Sequence, residues 1–405
     1  MTLPLQHVKV LDVSEHGFVP AAAAVLADWG ADVVKVERLQ GDAMRGIIGS
    51  GMVPSSDGFD FLFELANRNK RGIALDIQAV AGREIFEKLV AWADVYVTNQ
   101  LPQVRRKLHT EPADLFAINP RLVYAKGSGQ GQRGADAETG GFDAVSFWAR
   151  GGVGHVLAAA EAPSPPTQRP AQGDVPSGAF LAGGICAALV SAQHTGIGVV
   201  VDTSLLGGAL WTLSPDIAYA SVADAQLPLA PEATRGPLKK TYRTEDARFV
   251  TLMMIDETRY WAQACRALGI DDVAESHLDP RRRAADNLML TERVRTAIAG
   301  LTRDDLESRL RAERCIFAVF QDPPEVLRDD SVVANGYAMP HPTHPTLRIS
   351  AAPAQFDDEL PSIRRAAPVK GADTREVLRE IGYDNEAISE FEAEQVVMSA
   401  GTREN

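Results

Sequence analysis

The first third of the chain alternates short apolar runs with amphipathic stretches. Residues 8–13 are apolar, residues 20–29 are rich in Ala and Leu with helical spacing, Gly30 stops that helix, and residues 32–37 (DVVKVE) are β-branched again. This is the pattern of a βαβ unit. It continues with a strand at 72–77, a helix at 80–92, a strand at 94–98, a helix at 113–118 and a strand at 122–126. Strands separated by helices predict a mostly parallel sheet covered on its faces, so the fold class is α/β.

Glycines then crowd residues 127–154, and an Ala/Pro-rich loop at 158–171 leads into an apolar helix at 177–193. A Pro/Ala-rich stretch at 223–233 marks a domain boundary. Beyond it the pattern changes. A strand is expected at 249–254, helices at 260–268 and 287–299, and a further helix opened by the capping pair Thr302 and Asp305. A Pro-rich return at 340–353 precedes helices at 374–381 and 386–394. The expected segments are an α/β domain at 1–222, a linker at 223–237, a small domain at 238–335 and a return with C-terminal helices at 336–405.

Composition narrows the function classes. The 405 residues are 45% apolar and 23% charged, which is globular and not disordered. The net charge of −13, from 41 Lys and Arg against 54 Asp and Glu, argues against a nucleic-acid or anionic-membrane surface. No stretch is expected to span a membrane, and the N-terminus lacks a basic region followed by an apolar one, so a cytoplasmic protein is expected. Cys186, Cys265 and Cys315 are odd in number and far apart, which speaks against a disulfide framework or a zinc site, and no metal is expected.

Local chemistry is more informative than the total. Between Lys35 and Lys107 there are 11 basic and 9 acidic residues, a local excess of positive charge in an acidic chain. Three clusters, Arg38/Arg45, Arg68/Lys70/Arg71 and Arg105/Arg106/Lys107, follow strands or end loops, where α/β folds bind phosphates. Residues 129–134 match G-x-G-x-x-G, but the acidic, glycine-ended run after them cannot be the apolar helix a dinucleotide site requires. Glu37 ends the second strand, where such folds place a ribose-binding acid. The eight histidines show no metal or hydrolase spacing. Asp174 follows the long loop and immediately precedes the apolar helix, the place of an N-cap favoured by the helix dipole.

These segments together resemble the family III CoA-transferases (CaiB/BaiF family), the group of formyl-CoA transferase, carnitine CoA-transferase and α-methylacyl-CoA racemase. The likeness is carried by Pro4-Leu5-Gln6, Lys9-Val10-Leu11-Asp12, the run from Leu26 to Glu37, Gly41-Asp42, Asn67-Arg68-Asn69-Lys70-Arg71, Ile118-Asn119-Pro120-Arg121-Leu122, Gly173-Asp174, Asp202-Thr203-Ser204-Leu205-Leu206, Tyr242-Arg243-Thr244 and Thr374-Arg375-Glu376-Val377-Leu378.

The resemblance implies a Rossmann-like large domain with a smaller α+β domain, each chain a ring and two chains interlocked. A homodimer is expected, with a heterodimer as the alternative. It implies Asp174 as the catalytic nucleophile. It implies coenzyme A contacts at Gly17, Phe18, Arg38, Leu75, Asp76, Asn99, Gln100, Lys107 and Ser128, with an acyl-CoA donor and a carboxylic acid acceptor as substrates. The racemase histidine position falls on Phe142, which cannot take a proton, and its glutamate position on Asp256. Transfer of CoA is therefore expected, a 2-methylacyl-CoA epimerase or a non-catalytic acyl-CoA-binding subunit being the alternatives. Backbone amides of the glycine-rich segment 151–154 are the candidate oxyanion donors.

Overall fold

The computed structural model describes residues 3–51, 53–54, 59–158, 162–228, 231 and 234–400. The chain divides into two compact units, one of Met1–Ala218 with Val333–Asn405 and one of Tyr219–Val332. Parts of the expected loop at 158–171 and of the expected linker at 223–237 lie outside the described residues.

The first unit is built on a seven-stranded sheet. Its elements run β1 (Lys9–Val13), α1 (Phe18–Asp28), β2 (Asp32–Glu37), α2 (Phe61–Asn67), β3 (Arg71–Leu75), α3 (Val80–Trp92), β4 (Val95–Thr98), α4 (Pro102–Leu108), α5 (Pro112–Ile118), β5 (Val123–Ser128), α6 (Val153–Val156), α7 (Asp174–Thr195), β6 (Val199–Ser204) and α8 (Leu205–Thr212). The spatial order is β3-β2-β1-β4-β5-β6, all parallel. A short C-terminal strand, Val397–Met398, adds antiparallel to the outer edge of β3. That is the strand order of a doubly wound dinucleotide-binding sheet, with its reversal between β1 and β4.

Alternation of side chains sends each strand into two cores. Val10, Val33, Val97 and Ala125 pack with Leu26 of α1 and Leu181 and Ile185 of α7. Leu11, Val34, Tyr96 and Tyr124 pack on the other face with Ile85 and Leu89 of α3 and with Leu378 and Ile388 of the C-terminal helices. The run Ala21–Ala24 in α1 keeps that helix thin enough for α7 to lie directly on it. A Cβ at Gly178 would stand 2.8 Å from Phe18 O.

The second unit has a three-stranded antiparallel sheet of β7 (Thr241–Arg243), β8 (Phe249–Leu252) and β9 (Phe317–Val319). Helices Glu257–Leu268, Asn287–Ala299 and Arg303–Ala312 enclose a core around Trp261, Leu290, Val294 and Leu310. Thr302 caps the last of these by accepting from Asp305 N. Asp256, the position that matches the racemase glutamate, is likewise the N-cap of its own helix.

Two sequence expectations are corrected. The apolar helix begins at Asp174, not at 177, and its N-cap is Gly173, so Asp174 is the first helical residue and does not cap it. That helix, Asp174–Thr195, is also long and apolar enough by length and composition to cross a bilayer, where no such stretch was expected. Here it packs against α1, β5 and β6 in the core.

Candidate active site

The carboxyl ends of β1, β2, β4 and β5 open onto a cleft of ≈660 Å³ at the point where the strand order reverses. In open α/β sheets this is where ligands bind. Gly17, Phe18, Arg38, Leu75, Asp76, Asn99, Gln100, Lys107, Ser128 and Asp174 all line it. Their side chains stand differently toward it. Arg38 and Lys107 are exposed cations, Arg38 donating through Nε to Glu15 Oε1 at 2.8 Å. Leu75 and Phe18 are buried in the two cores, so neither side chain is free to reach a ligand. Ser128 Oγ accepts from Gly131 N at 3.1 Å, and Asp76 Oδ1 from Gln78 N at 2.9 Å. The Asn99 amide is engaged with the Glu15 backbone, accepting from its N at 3.0 Å and donating to its O at 2.6 Å.

Asp174 is partly buried at the start of α7. A Cβ at Gly17 would stand only 2.3 Å from its Oδ2, so any side chain at residue 17 would have to push the carboxyl aside. Burial, and then the neighbouring Asp143 carboxylate, raise its pKa to about 7. Asp143 reaches it from a π-helical segment, Ala144–Arg150, whose N-cap it is. Its oxygens accept from Gly173 N at 2.9 and 3.1 Å, from Asp174 N at 3.3 Å and from Gln168 Nε2 at 2.7 Å. The N-terminus of α7 is thus capped from outside, by a carboxylate some thirty residues earlier in the chain, and the Asp174 carboxyl is left toward the cleft. Sequence reasoning gave Asp143 no role, because its link to Gly173 exists only in three dimensions. Beside it, Phe142 is 63% exposed in the cleft wall and meets His16 edge to face at 5.4 Å.

Several charged candidates are tied into the fold. Glu37 lines the cleft, but its carboxylate is buried in a bidentate pair with Arg45 (2.6 and 2.8 Å) and also accepts from Asp42 N. Arg68 pairs with Asp28, Lys70 with Asp12, and Arg71 with Asp32 and Glu380, all as internal ties. Gly151 and Gly154 are packing positions: added Cβ atoms would stand 2.2 Å from Ala209 Cβ and 2.6 Å from the Trp148 ring. None of residues 151–154 lines this cleft. After residues 129–134 no helix follows; the next regular element is the π-helical segment. Among the described residues no group of three His, Cys, Asp or Glu side chains is placed to hold a metal.

Known proteins resemble this chain over nearly its whole length. The sequence model of CoA-transferase family III matches residues 5–374. An (R)-2-hydroxy-4-methylpentanoate CoA-transferase of Clostridioides difficile is 30% identical over 400 residues, covering 97% of this chain and 99% of that protein. A cinnamoyl-CoA:phenyllactate CoA-transferase of Clostridium sporogenes is 31% identical over 402 residues, 96% of each chain. A solved CaiB/BaiF family protein of Brucella suis shares the fold, with a TM-score of 0.78 at 24% identity over 94% of this chain and 100% of that one.

Proposed function

The chain belongs to CoA-transferase family III, and from that premise we propose that it moves coenzyme A between carboxylic acids with Asp174 as the nucleophile. The observation that carries this reading is the Asp174 carboxyl itself, seated against Gly17 in a cleft whose wall bears the exposed cations Arg38 and Lys107. A carboxylate there can meet a thioester, and the cations suit the phosphates of CoA.

The chemistry closes without a net proton or electron. Ionised Asp174 attacks the thioester carbonyl of the donor, expelling CoA thiolate and forming a mixed anhydride. The thiolate attacks the aspartyl carbonyl and releases the donor acid as its carboxylate, leaving an aspartyl-CoA thioester. The acceptor carboxylate attacks that thioester, freeing thiolate again, and thiolate attack on the acceptor acyl carbonyl yields the new acyl-CoA and restores Asp174. A raised pKa makes the ionised carboxylate a better nucleophile and leaves a smaller ionised fraction near neutrality. Phe142 carries no exchangeable proton, which favours transfer over movement of a proton at the α-carbon.

The substrates are branched or aryl carboxylic acids in this reading. It is supported by the acids named for the two relatives and by the exposed Phe142 ring in the cleft wall. The working form is a dimer of the interlocked type in a cytoplasmic setting. The dimer's support is the exposed apolar surface of α7, α8 and the turn after α7, where Val190, Trp211 and Ile197 are each more than 65% exposed, more than a lone monomer usually presents.

The test is peptide mass spectrometry after incubating the protein with branched and aryl acyl-CoAs and quenching with borohydride. A CoA adduct or reduced product on the peptide holding Asp174 is expected. Turnover retained by Asp174→Ala would overturn the mechanism.

A further inference from the structure

The backbone between β1 and α1 turns sharply at residues 14–17, and its polar groups have no ladder to join. Side chains hold them instead. Lys35 Nζ, from β2, donates to Ser14 O at 2.8 Å. Asn99, just past β4, grips both Glu15 N and Glu15 O. Asp42 Oδ1 accepts from His16 N at 3.1 Å. His16 has φ of 67°, the left-handed region that disfavours any residue but glycine, so the turn needs these ties to persist. The next residue is Gly17, on which Asp174 leans.

Lys35 and Asp42 are also bonded to each other, Nζ to Oδ2 at 2.8 Å, with both side chains at 0% exposure. A fully buried ion pair is a weak stabiliser compared with a well-packed apolar pair, because both charges lose their hydration. Neither residue lines the cleft, so neither touches a substrate there. Asp42 also accepts from Met44 N at 2.9 Å. What an apolar pair could not do is hold Ser14 O and His16 N, the two groups that flank Glu15.

We propose that the buried Lys35–Asp42 pair positions the turn at residues 14–17 for CoA transfer, setting where Gly17 meets the Asp174 carboxyl. The inference rests on the reading of Asp174 as nucleophile. Lys35 and Asp42 are positioning residues, acting through backbone they hold.

Two charge-free double variants test it. Lys35→Met/Asp42→Leu removes both ties, whereas Lys35→Met/Asp42→Asn keeps an oxygen for His16 N. The first should lower kcat roughly tenfold to a hundredfold with the acyl-CoA KM changed less than about threefold, the cost of a displacement near 1 Å. The second should recover most of that loss. Peptide-resolved hydrogen exchange should show faster exchange around Glu15 and His16 in the Leu variant, with the rest of the sheet protected as before. Wild-type kcat in a folded Leu variant, or unchanged exchange at the turn, overturns the proposal. Should the Leu variant not fold, the Asn variant, which has still lost the Lys35 tie to Ser14 O, should exchange faster around Glu15 and His16 than the wild type, and wild-type exchange there overturns the proposal. Absence of transfer by the wild type with every donor would instead overturn the reading of the site, and the exchange measurement would still decide whether the pair holds the turn.

Discussion

Asp174 and Gly17 occupy each other's space: the carboxyl oxygen stands where a side chain on residue 17 would begin, 2.3 Å from the position of its Cβ. Two parts of the chain far apart in sequence, the loop after β1 and the start of α7, are fitted together at one atom. Gly17→Ala should therefore displace the Asp174 carboxyl and lower kcat by about tenfold or more, while the fold survives because the obstructing atom ends a movable side chain and residue 17 has a φ of −94°, which alanine adopts. Turnover assays beside a thermal melt check this. An active, normally stable Gly17→Ala variant would mean that Asp174 does not work from this position.

The raised pKa of Asp174 sets a pH profile. Its cause is burial first and the Asp143 charge second. Only the carboxylate attacks, so kcat/KM for the acyl-CoA should climb through about pH 7 and flatten above it. Asp143→Asn removes the charge and keeps an amide oxygen for Gly173 N, so the midpoint should move to lower pH. A profile that stays flat from about pH 6 to about pH 9 would be incompatible with Asp174 as the attacking group.

The same shift has a consequence for stability. In the unfolded chain the carboxyl ionises near ~4, in the folded protein near 7. The folded state thus holds the proton more tightly, and the stability this confers is present in full below about pH 4 and is lost as pH rises through 7. Asp174→Asn cannot ionise. Its unfolding temperature should match the wild type in acid and exceed it in mild alkali, a difference that differential scanning calorimetry reads directly; equal values at both pH extremes would count against the shift.

Lys70 is completely buried and bonds Asp12 at 2.7 Å, Pro20 O at 2.9 Å and Asn67 Oδ1 at 2.9 Å. All three ammonium protons are used. Lys70→Met strands the Asp12 carboxylate in the core and should cost on the order of 3–5 kcal/mol in urea unfolding. Adding Asp12→Asn removes the stranded charge and should restore much of the loss. If the single variant is as stable as the wild type, the charges are not desolvated as the structure places them.

Much of the large domain could be read from the chain because a parallel sheet buried on both faces leaves unbroken apolar strands between amphipathic helices. Helix Val80–Trp92 and strand Asp32–Glu37 end where their patterns end. Of the three seven-residue helices only α5 was expected and α2 and α4 did not show, since two turns give at most a weak periodic signal, and β6 follows a glycine pair that hides its start. The cleft residues were legible only through likeness to a family; their spacing alone says nothing of their meeting. Lys35 looks like one more position in a strand and Asp42 like a turn residue, and nothing local reveals that they join. Asp143 is invisible as a cap for the same reason, since a cap supplied from another segment leaves no mark in the helix it serves.

The strand Val397–Met398 completes the sheet by pairing with β3, whose residues left the ribosome more than three hundred positions earlier. The unit of Tyr219–Val332 is contiguous and emerges whole before that partner exists. During synthesis, then, the first-made strands wait with an open edge at β3 while the later unit is already complete in sequence. An open edge is a template for pairing with other chains. Translation is in effect a period of exposure for this protein, and it ends only with the last few codons of the described chain.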